Sequence, residues 1–150
     1  MTAMTTSTTT ESLAAGPSLD DALAANRAFY HAFSSRDLAT MDKIWARGVP
    51  VLCIHPGWPP LMERAAVLSS WRDIMKNPAS PNAYSRNDRA FIHGKTAIVV
   101  CEEVLDGGVL AATNIFIEEL GSWRLIHHQA SPIAIQMAEA DIPPPRHQLH

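Results

Sequence analysis

Four short stretches carry side chains able to move a proton or orient a polar ligand. In VLCIHPGW a histidine, His55, ends an apolar run just before Pro56-Gly57, with Trp58 close behind. In TAIVVCEEVL two carboxylates, Glu102 and Glu103, interrupt another apolar run. VLAATNIFIEEL sets Asn114 among Ala112, Phe116 and Glu118, and SWRLIHHQASPI carries His127, His128 and Gln129. An imidazole of ordinary pKa, about 6.5, exchanges protons at neutral pH. A carboxyl on an apolar face has its pKa raised by desolvation, and the two together are the means of general acid-base chemistry.

Strand alternation decides which of these groups can meet. Val51, Cys53 and His55 share one side of the first strand. Ala97, Val99, Cys101, Glu103 and Leu105 share one side of the second, and Glu102 points the other way, so one of the two glutamates faces the interior. In the last strand alternation groups Trp123, Leu125, His127, Gln129 and Ser131 against Arg124, Ile126, His128 and Ala130. The first set passes from large apolar to polar groups, as a pocket floor does towards its mouth. Which of His127 and His128 looks inward stays open. Each group also has a plain structural reading: a strand-end histidine bonded to a carbonyl, a solvated glutamate, an amide tying two strands together.

Other chemistries find less support. Adjacent histidines on a strand diverge, and Cys53, His55, Cys101 and His127 show no metal-ligand spacing, so no zinc site is expected. No cofactor-binding motif is present and no cofactor is expected. The two cysteines lie in apolar runs without C-x-x-C spacing and read as reduced core thiols.

The positioning elements can be read from periodicity. Ser18 followed by Asp21 starts a helix with Leu19, Ala22, Ala25, Phe29 and Phe33 at steps of three and four. Asp37 caps a second, shorter helix carrying Leu38, Met41, Ile44 and Trp45, which Gly48 and Pro50 end. After a strand over Val51 to His55, Glu63 opens a third helix with Val67, Leu68, Trp71, Ile74 and Met75 on one stripe, closed by Asn77-Pro78. Residues 79–94 read as loop plus strand. Three clearer strands follow, at 95–105, 109–120 and 122–133, joined by Asp106-Gly107-Gly108 and by Gly121 in tight hairpins. The order predicts an α+β domain with helices laid on one face of a curved antiparallel sheet.

At 150 residues and 47% hydrophobic content the chain is sized for one domain that buries a core unaided. The domain is expected over 18–137, between a Thr/Ser-rich arm at 1–17 and a proline-rich tail at 138–150 that includes DIPPPRHQLH. The net charge of −3 comes from scattered groups, which argues against a nucleic-acid partner. No apolar run approaches the roughly 18 residues of a membrane span. The first residues lack the basic and apolar blocks of a leader, so a cytoplasmic protein is expected.

With the elements and residues in place, the chain resembles the NTF2-like superfamily, in particular its SnoaL-like branch, related to ketosteroid isomerases and polyketide cyclases. The likeness covers about 18–133. Related domains carry Trp-x-x-x-His-x-His-x-Ser in the last strand, matched here by Trp123, His127 and Ser131 with Gln129 at the second histidine. CIHPGW and ERAAVLSSW resemble the corresponding first strand and third helix. The resemblance implies a cone whose three helices close one apolar pocket, with His55 at its rim, and a homodimer through the outer sheet face. It implies a small apolar ligand, with Trp45, Trp58 and Trp71 as walls and Asn114, Gln129 and Cys101 as contacts. In the cyclases a late pocket carboxylate is the base, whereas residues 122–137 here contain no Asp or Glu. The resemblance therefore leaves His127, His55 or Glu103 as the catalytic base of an isomerase, cyclase, dehydratase or hydrolase, and a binding domain without chemistry as the alternative.

Overall fold

The computed structural model describes residues 16–134. The arm, apart from Gly16 and Pro17, and the proline-rich tail lie outside the described residues. The elements follow in the order α1 (Leu19–Ser34), α2 (Leu38–Ile44), β1 (Leu52–Ile54), α3 (Arg64–Lys76), β2 (Tyr84–His93), β3 (Thr96–Leu105), β4 (Gly108–Glu119) and β5 (Ser122–Pro132). This is the expected α+β cone: three helices packed on one face of a five-stranded sheet of order β1-β5-β4-β3-β2.

Local chemistry starts the first two helices where the sequence places them. The Ser18 hydroxyl accepts from the Asp21 N–H and the Asp21 carboxylate accepts from the Ser18 N–H, a complete capping box. Asp37 accepts from the Thr40 hydroxyl and from the Thr40 N–H, and this bonding holds its carboxyl below the usual range. Glu63 stands at the start of α3 without a side-chain capping bond. At the β4–β5 hairpin both turn residues have positive φ, Leu120 at 52° and Gly121 at 80°, as a two-residue turn matched to strand twist requires.

The sheet differs from a plain antiparallel meander in two respects. First, β1 pairs parallel with β5, Leu52 opposite His127 and Ile54 opposite Gln129, so the sheet is mixed. Second, two strands slip. In β2 the register breaks between Arg86 and Arg89, and in β5 Ile115 faces His127 while Phe116 faces Leu125, leaving Ile126 as an extra residue. A bulge of this kind exchanges the faces of every side chain beyond it.

The concave face and the helices enclose the core, in which Phe29, Met41, Trp45, Val67, Phe116 and Leu125 are fully buried. Among the described residues no helix is long and apolar enough to cross a membrane.

Candidate functional site

The open end of the cone holds a cavity of about 190 Å³. Phe29, Tyr30 and Phe33 of α1 form one wall, because the 3–4 spacing that buries α1 turns these rings inward. Trp71 of α3 stands opposite, edge-on to Phe29 at 5.3 Å and to Phe33 at 5.4 Å between ring centroids. His55 and Trp58, just past β1, close the rim, their rings 4.8 Å apart.

Glu103 of β3 and His128 of β5 supply the polar end. His128 is 3% exposed and packs against Phe29 and Trp71. Its Nε2 lies 3.7 Å from Glu103 Oε1. The same Oε1 accepts a 2.7 Å hydrogen bond from the Tyr30 hydroxyl.

The proton positions follow from the bonding behind the wall. Asn114 Nδ2 donates to Asn26 Oδ1 at 2.7 Å and to Tyr30 Oη at 3.1 Å. An amide has one acceptor atom, so Asn114 Oδ1 accepts, and His128 Nδ1, 2.6 Å away, donates to it. The Nε2 of the neutral ring is therefore bare and lies towards Glu103. A similar argument fixes His55. The Ser70 hydroxyl donates to the Val67 carbonyl at 2.6 Å, so His55 Nε2, 2.8 Å from the same oxygen, is the donor and Nδ1 is bare.

Burial sets the charge states. Burial, reinforced by the neighbouring His55 and His127, lowers the His128 pKa to about 3, and burial lowers that of His55 to about 4. Burial pushes the Glu103 carboxyl up against the opposing pull of the Tyr30 hydrogen bond. Burial, then the Glu103 and Cys101 charges, pushes the Tyr30 hydroxyl well above its ordinary value. A carboxyl whose pKa is raised by burial thus sits beside a neutral imidazole whose Nε2 is bare, an arrangement in which the carboxyl can donate a proton and the imidazole accept one.

Several of the residues named from sequence meet here. His55, Trp58, Trp71 and Glu103 line the cavity. Asn114 and Cys101 are buried behind it, the Cys101 thiol 3.5 Å from Tyr30 Oη and its pKa pushed up to about 11 by burial. Trp45 is fully buried beside Leu125 in the core and does not line the cavity, a correction to its expected place. His127 and Gln129 also need correcting. The Ile126 bulge puts His127 beside Ile115 and Leu52 on the outer face, where Gln129 is exposed, and turns His128 inward in their place. Of the glutamates, Glu103 faces inward and Glu102 bonds Arg86 and Asn87.

Sequence reasoning missed Tyr30 and Asn26, and left open the choice between His127 and His128 that the structure decides for His128. Asn26 left a signal, since it falls three residues before Phe29 and four after Ala22, on the apolar stripe of α1. Among the described residues no group of His, Cys, Asp and Glu is placed to hold a metal ion.

A curved sheet closed by three helices over one apolar cavity with a polar end is the architecture of the NTF2-like proteins. Within it the chain belongs to the SnoaL-like domain family, whose model matches residues 22–136. A proposed dehydratase of the NTF2-like family from Streptomyces avermitilis is 33% identical, with a TM-score of 0.72 over 78% of this chain and 96% of that one. A proposed calcium/calmodulin-dependent protein kinase type II association domain from Thiobacillus denitrificans is also 33% identical, with a TM-score of 0.66 over 74% of this chain and 94% of that one. The F-box protein SKIP8 of Arabidopsis thaliana is 26% identical over 115 residues, 75% of this chain and 50% of that protein. The chain therefore spans about half the length of this curated relative.

Proposed function

We propose that the cavity takes a small uncharged molecule about one ring in size, bearing a carbonyl or hydroxyl group, and that Glu103 and His128 exchange protons with it. The observation that carries this reading is the 3.7 Å approach of Glu103 Oε1 and His128 Nε2 on the cavity wall. Size follows from volume, since a dry cavity of roughly 150 Å³ accommodates benzene. Neutrality follows from the walls, which are mostly aromatic and apolar and offer an ion little counter-charge.

Dehydration is the reaction best matched to the pair. Bare His128 Nε2 takes a proton from the carbon next to a carbonyl, and the released electron pair forms the double bond. The neighbouring C–O bond breaks as Glu103 gives its proton to the departing hydroxyl, which leaves as water. Imidazolium and carboxylate then face each other, and one transfer across their contact restores the starting state. Acid and base project from the same face of the sheet, from β3 and β5 on either side of β4, so both protons move on the same side of the ligand. The Streptomyces relative, described as a proposed dehydratase, is in keeping with this choice.

The test uses small cyclic β-hydroxy ketones, with thermal shift to detect binding and mass spectrometry to detect loss of water. Glu103→Gln keeps shape and hydrogen bonds but has no proton to give, so turnover falls at least a hundredfold while the thermal shift persists. Turnover equal to wild type in this variant removes the assignment. Binding by wild type without conversion leaves the alternative, a ligand-binding domain.

The outer face supports a second copy of the chain as partner. Phe91, Ile98, Ile115, His127 and Leu52 form one continuous row across all five strands. Phe91, Leu52 and the neighbouring Val100 are 51%, 39% and 43% exposed. The Thiobacillus relative is described as an association domain, in keeping with that use of the fold. A cytoplasmic setting agrees with two buried, unpaired cysteines.

A further inference from the structure

One carboxylate outside the cavity lies at the far end of the hydrogen-bond chain that reaches His128. Asp88 Oδ2 accepts from Asn26 Nδ2 at 3.0 Å and from the Ser85 hydroxyl at 2.8 Å. Asn26 and Asn114 are both 0% exposed. Asp88 Oδ1 is buried without a hydrogen-bond partner. Leaving a carboxylate oxygen unsatisfied destabilises the fold, so its retention calls for a function that a hydroxyl or an apolar side chain would not serve.

The chain of bonds has a direction. A carboxylate only accepts, so it requires the Asn26 amide to present Nδ2 and to turn Oδ1 towards Asn114. Asn114 must then present Nδ2 to Asn26, which turns its own Oδ1 towards His128 Nδ1. Reversing either amide would set two acceptors against each other at the Asp88 end or two donors further along. Asn114 Nδ2 also donates to Tyr30 Oη, which commits the Tyr30 proton to Glu103. The polarity set at Asp88 thus reaches both groups that face Glu103.

We propose that Asp88 is a positioning residue that, through Asn26 and Asn114, holds His128 as the Nδ1–H tautomer with Nε2 bare towards Glu103. The fold delivers both ends of the relay by the same device. Asn87, with φ of 56°, forms the β2 bulge that turns Asp88 inward against α1, and the Ile126 bulge in β5 turns His128 inward. The inference rests on the acid-base reading for its functional meaning, but its own content is the proton position on one ring.

That position is read by long-range ¹H–¹⁵N NMR of the histidine ring nitrogens, with no substrate present. The wild-type protein is expected to show one His128 tautomer, with Nδ1 protonated and Nε2 pyridine-like. In Asp88→Ala the Asn26 amide is free to reverse, and the ring resonances are expected to shift towards the Nε2–H form. Adding Asn26→Asp returns an acceptor-only group to the chain one link closer to His128, so the double variant is expected to recover the wild-type pattern. A structural role for Asp88 would not be rescued in this way. An Nε2–H tautomer in wild type, an unchanged spectrum in Asp88→Ala, or a folded double variant without the Nδ1–H form would each overturn the proposal. Where Asp88→Ala alone does not fold, wild type and the double variant decide it. Turnover lost with the tautomer intact counts against the catalytic reading alone; a mobile tautomer with full turnover counts against the relay alone.

Discussion

Acid should destabilise this protein through its two buried imidazoles, and Glu103 should mask part of the loss. His55 and His128 have folded pKa values of about 4 and about 3, both below the ordinary 6.5, because burial penalises the charged rings. Between those values and 6.5 the unfolded chain binds protons that the folded chain does not, so stability falls as pH falls. Each ring reaches about 1.4 kcal/mol per pH unit only well below 6.5, where the unfolded ring is fully protonated, so from pH 6.5 to about pH 5 the two together remove about 3 kcal/mol. Glu103 acts in the opposite direction. Its folded pKa is raised above the unfolded value, so acidification through the folded pKa adds stability. Glu103→Gln removes this opposing contribution and exposes the histidine effect. Urea unfolding of the variant at constant ionic strength, at about pH 7.5, 6.5 and 5, is the assay. With a slope of about 2 kcal/mol per molar urea, the midpoint should fall by about 1.5 M across the lower interval, and by less in wild type. A midpoint in Glu103→Gln that stays level or rises towards pH 5 would refute the claim that both rings are held neutral by burial.

Leu120, 99% exposed with φ of 52°, occupies a left-handed position that disfavours leucine, and Leu120→Asn should raise stability by about 1 kcal/mol in thermal or urea unfolding. Tyr30→Phe removes the hydroxyl that donates to Glu103, so the Glu103 carboxyl should titrate higher still by ¹³C NMR, with about 1–3 kcal/mol of stability lost from the unsatisfied network. Val100→Lys places a charge on the outer apolar face without touching the cavity; light scattering should show a dimer dissociating to monomer while ligand-induced thermal shift is unchanged.

The elements were legible because their signals are local. A serine and an aspartate three residues apart, or a glycine where φ must be positive, act within one turn and do not depend on the rest of the fold. That Glu103 sits inward was legible only as one of two choices, and what decides it is Arg86, which draws Glu102 outward from a strand ten or more residues away. The parallel pairing of β1 with β5 had no local signal at all. It closes over more than seventy residues of intervening chain, and a three-residue strand carries too little pattern to name its partner. Asn114 stood out as an amide among apolar neighbours, but two of its partners, Asn26 and Tyr30, lie on α1, and nothing in β4 points there.

The histidine at the cavity shows how far alternation can be trusted. Alternation counted back from Trp123 and Leu125 places His127 inward, and each residue on that count is correctly typed: two large apolar groups followed by a polar one. The count fails at Ile126, where one extra residue bends the strand and exchanges its faces. Ile126 is apolar, β-branched and at home on either face, so it leaves no trace of the slip. The same device at Asn87 is more visible, since asparagine tolerates a positive φ better than most residues, yet it too reverses the faces beyond it and makes Asp88 the inward group. A regular strand offers inward positions only at every second residue. By bulging β2 and β5 the fold places a carboxylate and an imidazole at opposite ends of one buried amide pair, in positions that two regular strands would have given to Asn87 and His127.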